Sequence, residues 1–164
     1  MKRILLTYTL AFILLPVYGG EGGSSPAEKK SLLIDYVDPF IGTTNFGTTN
    51  PGAICPNGMM SVVPFNVMGS SENKYDKDAR WWSTPYEHTN CFFTGYAHVN
   101  LSGVGCPELG SLLLMPTTGE LNVDYKEYGS KYKDEQASPG YYSNYLTKYN
   151  VKTEVSATPR TSIA

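Results

Sequence analysis

Short apolar runs separated by glycine, proline and polar residues recur along the chain. The clearest pattern lies at 151–158, where Val, Thr, Val and Ala alternate with Lys, Glu, Ser and Thr. A period of two is that of a half-buried strand, so this segment and residues 141–149 predict a β-hairpin. Further strands are predicted at 32–37, which ends at Asp38-Pro39, at 60–67, where Pro64 restricts the strand to an edge or bulged position, and at 112–115, whose apolar run predicts a buried strand.

No segment has the pattern of an amphipathic helix of ten or more residues. The pattern therefore predicts an all-β chain, and an antiparallel β-sandwich is the natural architecture. Residues 93–110 carry several glycines together with polar side chains, which predicts a loop placed against strand 112–115. The alternating pattern stops close to Ala164 with no further element to cover the edge of the sheet, so we expect the sandwich to be incomplete.

The amino terminus has the features of a secretory signal peptide. A basic start, Met1-Lys2-Arg3, precedes a mostly apolar stretch that extends to Val17, which predicts a signal peptide over 1–20. That stretch is shorter than the roughly 20 residues that span a bilayer, so we expect no stable membrane span. Residues 21–30 are small and polar and predict a flexible linker, with the folded domain at 31–164. The protein is then secreted, to the periplasm or cell surface.

Charge and cysteine content exclude some classes of protein. A net charge of −2 gives no basic footprint for nucleic acid. The chain has 3 cysteines, of which any one pair could form a disulfide in an exported protein. The absence of a Cys-x-x-Cys pair argues against a structural zinc site, and we predict no metal site in this chain.

The segment 95–106, Gly-Tyr-Ala-His-Val-Asn-Leu-Ser-Gly-Val-Gly-Cys, resembles the N-terminal domain signature of glycoside hydrolase family 92, the calcium-dependent exo-acting α-mannosidases. Asn100 stands where the family usually has a second histidine. Other segments are similar to the family's motifs in the same order: Val37-Asp38-Pro39-Phe40-Ile41-Gly42-Thr43, Asn50-Pro51-Gly52-Ala53, Pro56-Asn57-Gly58-Met59, Met115-Pro116-Thr117-Thr118-Gly119, Ser138-Pro139-Gly140-Tyr141-Tyr142 and 153–160.

The resemblance implies the N-terminal part of a larger enzyme, in which the β-sandwich is followed by an (α/α)6 barrel. Members of the family remove terminal α-linked mannose from glycans with inversion, and calcium holds the sugar in a distorted shape. The resemblance places the catalytic acid and base and most calcium ligands in the helical domain, so we assign no catalytic residue to this chain. Among its 15 acidic residues, none is identified in a paired, aromatic-lined setting.

The candidate substrate-binding residues lie in two segments. His98 could donate to a sugar hydroxyl, or could be hydrogen-bonded within its loop. Asn100 and Ser102 offer further hydrogen bonds, although Asn also stabilises turns. Glu108 is the acidic candidate of the same loop. Trp82 resembles a family tryptophan that lines the leaving-sugar subsite, and its face suits a pyranose ring, whereas a core position is the alternative.

The sequence therefore predicts part of a secreted α-mannosidase whose partners are a mannose-containing glycan and its own C-terminal helical domain. We expect the 164-residue chain to be inactive by itself. The alternative is a free-standing carbohydrate-binding module, which needs a closed sheet and a surface aromatic platform. A structural surface protein, the third possibility, needs neither.

Overall fold

The computed structural model of the protein describes residues 31–44, 49–73, 85–100 and 110–164. These residues form two antiparallel sheets with very little helix, which confirms the predicted all-β, sandwich-like class. The elements are a 3-10 helix Leu33–Tyr36, strands β1 Ala53–Ile54, β2 Ser61–Phe65, β3 Phe92–Phe93, β4 Gly95–His98 and β5 Leu112–Leu114, helix α1 Tyr125–Tyr128, and strands β6 Ser130–Ser138, β7 Tyr141–Leu146, β8 Val151–Ala157 and β9 Ser162–Ile163. Among them is no helix with the length and apolar character needed to span a membrane.

The first sheet has the strand order β1-β2-β4-β5 and the second has the order β3-β6-β7-β8-β9. The hydrophobic core lies between them. The first sheet contributes Ala53, Val62 and Tyr96, and the second contributes Phe93, Tyr142, Leu146 and Val155. Burial of an apolar side chain of this size contributes about 1.5–3 kcal/mol, so this shared core is the main force that holds the sheets face to face.

The predicted hairpin at 141–158 is confirmed. Strands β7 and β8 pair antiparallel from Tyr141 opposite Ser156 to Leu146 opposite Val151. Thr153 and Val155 are buried, while Lys152 and Glu154 are exposed, as the alternation predicts. The four residues between the strands form turns that include Asn150 at φ 55°, a left-handed conformation that Asn tolerates.

The predicted strand at 32–37 is wrong. Residues Leu33–Tyr36 form a 3-10 helix whose apolar side chains are exposed. The Asp35 carboxylate accepts a hydrogen bond from the Leu32 amide at 2.9 Å, and the Asp35 amide donates to the Leu32 carbonyl at 3.0 Å. Such short-range bonds offer the backbone an alternative to a sheet, and they decide the conformation here. The next acid, Asp38, forms a turn by accepting a hydrogen bond from the Phe40 amide at 2.9 Å.

Three further expectations are corrected in the first sheet. The segment predicted as a polar loop at 93–110 begins as strand: Phe93 ends β3, and Gly95–His98 form β4. Strand β5 is present at Leu112–Leu114, but its side chains are exposed rather than buried because it lies at the end of the described sheet. Strand β2 has neighbours on both sides, although Pro64 lies beyond its pairs with β1 and is paired only with Tyr96 of β4.

Candidate functional site

His98 is the last residue of β4 and lies between two neighbouring strands, opposite Val62 of β2 and Leu112 of β5. It is 8% exposed, and its Nδ1 lies 3.3 Å from the Leu112 carbonyl oxygen. The contact corresponds to the second interpretation of this residue, a histidine hydrogen-bonded to its surroundings. It leaves Nε2 as the ring nitrogen that could face a ligand.

Val99 turns the chain at the end of β4. Its φ is 59°, which is unusual for a β-branched residue and which costs of order 1–3 kcal/mol. The turn is held by Ser61 of β2, whose carbonyl accepts the Val99 amide at 3.1 Å and whose hydroxyl accepts the Asn100 amide at 3.0 Å. Strained backbone is concentrated at functional sites, so the residue that this turn positions is a candidate for binding.

Asn100 is that residue. Its side-chain Nδ2 is buried and has no hydrogen-bond partner among the described residues. Its Oδ1 lies 3.0 Å from the point where a Cβ would sit on Gly110, which is a tight contact, and the φ of 117° at Gly110 is a conformation that favours glycine. A buried amide donor without a partner costs about 1–3 kcal/mol, which a ligand hydroxyl could recover.

The other three predicted site residues, Trp82, Ser102 and Glu108, lie outside the described residues. The structure therefore brings together two of the five candidates, His98 and Asn100, at the end of β4. Within the described ranges, no group of three or more His, Cys, Asp or Glu side chains is arranged to hold a metal ion.

A second cluster of polar side chains, centred on Glu135 of β6, was not predicted from the sequence. Between two register pairs, Lys133 with Tyr145 and Gln136 with Ser143, β6 advances by one residue more than β7. Asp134 has a φ of 53° at this bulge. The extra residue reverses the alternation, so that Ser130 and Tyr132 point inward before the bulge and Glu135 points inward after it.

The Glu135 side chain is 12% exposed, and its carboxylate faces aromatic hydroxyls. Tyr86 lies 2.8 Å from both of its oxygens, and Tyr142 donates to Oε1 at 2.5 Å. His88 completes the cluster, with Nδ1 3.5 Å from Oε2 and 2.8 Å from the Tyr86 hydroxyl. This is the aromatic-lined acid that the sequence interpretation had not identified, and only the position of the bulge reveals it.

Burial controls the ionisation of this cluster. Loss of solvent around Glu135 raises its pKa, and the hydrogen bonds from Tyr142 and Tyr86 and the nearby His88 only partly oppose that effect. Burial likewise raises the pKa of Tyr86 and of Tyr142, and the negative charge of Glu135 adds to both shifts. The tyrosines therefore stay neutral donors, whereas Glu135 can take up a proton. Glycoside hydrolysis uses a pair of carboxyl groups, and the described partners of Glu135 supply no second one.

A cavity of about 370 Å³ lies between the two sheets, bordered by β4, β5 and β8. Its walls include Tyr96, Leu114, Met115, Val151 and Thr153. The Tyr96 and Thr153 hydroxyls lie 2.6 Å apart and are already hydrogen-bonded to each other. Lys152 and Glu154 also line the cavity, whose surface is otherwise mostly apolar and includes the exposed Leu114 of β5.

Comparison with known proteins agrees with this architecture. Residues 36–164 match the glycosyl hydrolase family 92 N-terminal domain. The solved structure of the family GH92 alpha-mannosidase BT3965 from Bacteroides thetaiotaomicron superposes with a TM-score of 0.66 at 32% identity, over 79% of this chain. The GH92 family glycosyl hydrolase ccman5 gives a TM-score of 0.60 at 27% identity, also over 79% of this chain. No curated protein matches by sequence.

The chain spans 17% of BT3965 and 18% of ccman5. The match to the family nevertheless extends from Tyr36, the last residue of the 3-10 helix, to Ala164. It includes both the strand end that carries His98 and Asn100 and the bulged strand that carries Glu135. The chain belongs to glycosyl hydrolase family 92, a family of glycoside hydrolases that includes mannosidases, and residues 36–164 are its N-terminal domain.

Proposed function

We propose that this chain supplies the N-terminal β-sandwich of a secreted, exo-acting α-mannosidase, which releases terminal α-linked mannose from glycans. Membership of family 92 carries the proposal, together with the similarity to BT3965, an alpha-mannosidase whose structure has also been solved in complex with mannoimidazole. Inversion at the anomeric carbon and a requirement for calcium are parts of the same proposal. The sugar-facing groups of this domain are His98 and Asn100, with Trp82, Ser102 and Glu108 completing the substrate-binding set.

The unpartnered Nδ2 of Asn100 is the observation in this chain that best fits a binding role. A sugar hydroxyl can accept from an amide N–H and donate to a nearby nitrogen. The side-chain amide of Asn100 and the ring of His98, the last residue of β4, offer this combination within three residues of the chain. Carbohydrate sites use such fixed polar groups to orient the ligand.

The remaining part of the proposed enzyme is a C-terminal helical domain, which supplies the catalytic acid and base and the calcium ligands. Strand β5 supports such a partner. Leu112, Leu113 and Leu114 are 52%, 39% and 44% exposed on a strand at the end of the described sheet. A strand edge without Lys or Pro is normally covered or paired, so this apolar edge fits contact with further polypeptide.

The test is release of mannose. The chain alone is expected to release none from a 4-nitrophenyl α-mannoside, because hydrolysis needs a pair of carboxyl groups that we assign to the second domain. A polypeptide that carries this chain joined to a family 92 C-terminal domain is expected to release mannose, to lose activity in EDTA and to recover it with calcium. Proton NMR of the first product should show β-mannose.

Release of mannose by the chain alone would contradict the assignment of the catalytic carboxyl groups to the second domain. If the joined polypeptide is folded but releases no mannose, the mannosidase proposal fails. Binding of mannosides by the inactive chain alone would then favour a free-standing carbohydrate-binding module. Mass determination of the exported protein tests secretion, since cleavage is expected after residue 20.

A further inference from the structure

Glu135 links parts of the domain that are distant in sequence. It lies on β6, Tyr142 lies on β7, and Tyr86 and His88 lie in the segment that precedes β3, residues 85–91. That segment is also attached next to the first sheet, because the amide of Asn66, the residue that follows β2, donates to the Pro85 carbonyl at 3.0 Å. The Glu135 cluster is thus one polar attachment of segment 85–91 to the second sheet. Tyr132 of β6 provides another at the far end of the segment, where its hydroxyl donates to the Asn90 carbonyl at 2.8 Å and its amide donates to the Cys91 carbonyl at 3.3 Å.

Segment 85–91 in turn holds the start of the fold. The His88 amide donates to the Thr43 carbonyl at 2.9 Å, and the Phe40 ring packs on the His88 ring with centroids 4.9 Å apart. An opening of segment 85–91 would therefore release both contacts. It would also expose the Glu135 carboxyl group to water.

The hydrogen bonds of the cluster can accommodate either ionisation state of Glu135. When the carboxylate is ionised, Tyr86 and Tyr142 each donate one proton to it. When it is protonated, its O–H can donate to the Tyr86 oxygen 2.8 Å away, and the Tyr86 hydroxyl can donate in turn to His88 Nδ1, which lies 2.8 Å from it. Two other tyrosines, Tyr132 of β6 and Tyr96 of β4, interact electrostatically with Glu135, and burial raises the pKa of both, so they remain neutral.

No described Lys or Arg forms an ion pair with Glu135, whose one ionic partner in the described structure is His88. A buried carboxylate without a fixed cation favours its neutral form. We propose that Glu135 is a proton-binding site of the closed domain, and that segment 85–91 is held more tightly against the second sheet when Glu135 is protonated.

The direction of the pH effect follows from burial. Because the pKa of Glu135 in the folded state is raised above its ordinary value of 4.5, the folded state binds the proton more tightly than the open or unfolded state. This extra stability is fully present below pH 4.5 and is lost as the pH rises through the raised pKa. Within that window the folding equilibrium constant falls by up to about tenfold per pH unit.

The first experiment measures unfolding of the full chain by urea between pH 4 and pH 8. We expect the free energy of unfolding of the wild-type chain to fall as the pH rises through the raised pKa of Glu135, and to fall less in Glu135→Gln. Glutamine keeps the shape of the side chain and its acceptor oxygen but cannot ionise. Glu154→Gln is the matched control. Glu154 also accepts a tyrosine hydroxyl, from Tyr141 at 2.6 Å, but it is exposed, and its hydrogen bonds to Lys152 and Tyr141 lower its pKa. The control variant is therefore expected to keep the wild-type fall above pH 4.5.

Two further measurements do not depend on a variant that folds. Carbon-13 NMR of the folded wild-type chain should show the Glu135 carboxyl carbon titrating above 4.5 and that of Glu154 below it. Hydrogen exchange of the His88 amide, corrected for the intrinsic pH dependence of exchange, should show protection that falls as Glu135 ionises. A Glu135 midpoint at or below 4.5, or an unchanged slope in Glu135→Gln, would overturn the proposal.

Discussion

Removal of the Glu135 side chain tests whether the buried cluster has the hydrogen bonds described above. In Glu135→Ala, Tyr86 can still turn its hydroxyl to His88 Nδ1, 2.8 Å away. Tyr142 has no such alternative among its described contacts: it is 0% exposed, and its other hydrogen bond is one that it accepts from Asn144 at 3.4 Å. One buried hydroxyl proton therefore loses its acceptor.

An unsatisfied buried donor costs about 1–3 kcal/mol, so Glu135→Ala is expected to lower the free energy of unfolding at pH 7 by about that amount. Relief of the buried charge opposes the loss, which favours the lower half of this range. Removal of both partners leaves neither member of the Glu135–Tyr142 hydrogen bond unsatisfied, and the weak bond from Asn144 at 3.4 Å is lost equally in the single Tyr142→Phe variant. The double variant Glu135→Ala with Tyr142→Phe should therefore be more stable than the sum of the two single changes predicts, by about 1–2 kcal/mol.

The assay is urea unfolding of the four proteins of this double-mutant cycle at pH 7, followed by circular dichroism. The slope of free energy against urea should be common to all four, because the surface exposed on unfolding is nearly the same. Additive losses in the double variant would refute the reasoning, as they would show that Tyr142 and Glu135 do not interact. A loss below about 0.5 kcal/mol in Glu135→Ala would show that Tyr142 finds another acceptor.

Three other predictions concern the first sheet. Gly52→Ala should destabilise the chain by about 1–3 kcal/mol in urea unfolding, because its Cβ would lie 2.6 Å from the Val62 carbonyl oxygen; an unchanged midpoint would contradict this packing. Leu112→Lys should change the stability of the chain alone by less than about 0.5 kcal/mol, since the residue is exposed, yet should weaken the joined two-domain enzyme if β5 contacts the second domain. Asn100→Ala should reduce kcat/KM of that enzyme for mannosides about tenfold or more. Unchanged kinetics with altered stability would show that Asn100 acts only in the turn, and would refute the binding role.

The local pattern of apolar and polar residues predicted the structure correctly where the environment of the residues repeats along the strand. The hairpin of β7 and β8 follows directly from alternation at 151–158, because one face of that sheet meets the core and the other meets solvent. The overall class followed too, since turn residues and short apolar runs leave no room for long helices. Several motifs in the family's order, that at 95–106 among them, together indicated the family, and the match over residues 36–164 confirms it.

Local pattern failed where a single contact or neighbour overrides it. The apolar run at 32–37 reads as a strand, but the Asp35 carboxylate closes a 3-10 turn on Leu32. The apolar composition of β5 predicted buried leucines, but they are exposed, because burial depends on what lies beside a strand rather than on its own composition.

By itself, the sequence determined the all-β class, the hairpin, the family and the choice of His98 and Asn100 as candidates. The tertiary structure decided that these two residues lie at a strained strand end, and that Glu135 faces the interior. The physical reason is the register of β6: one extra residue at Asp134 inverts every side chain that follows it. A bulge is specified by pairing with a neighbouring strand, so no period within β6 could reveal that an acid lies among tyrosines from two other segments.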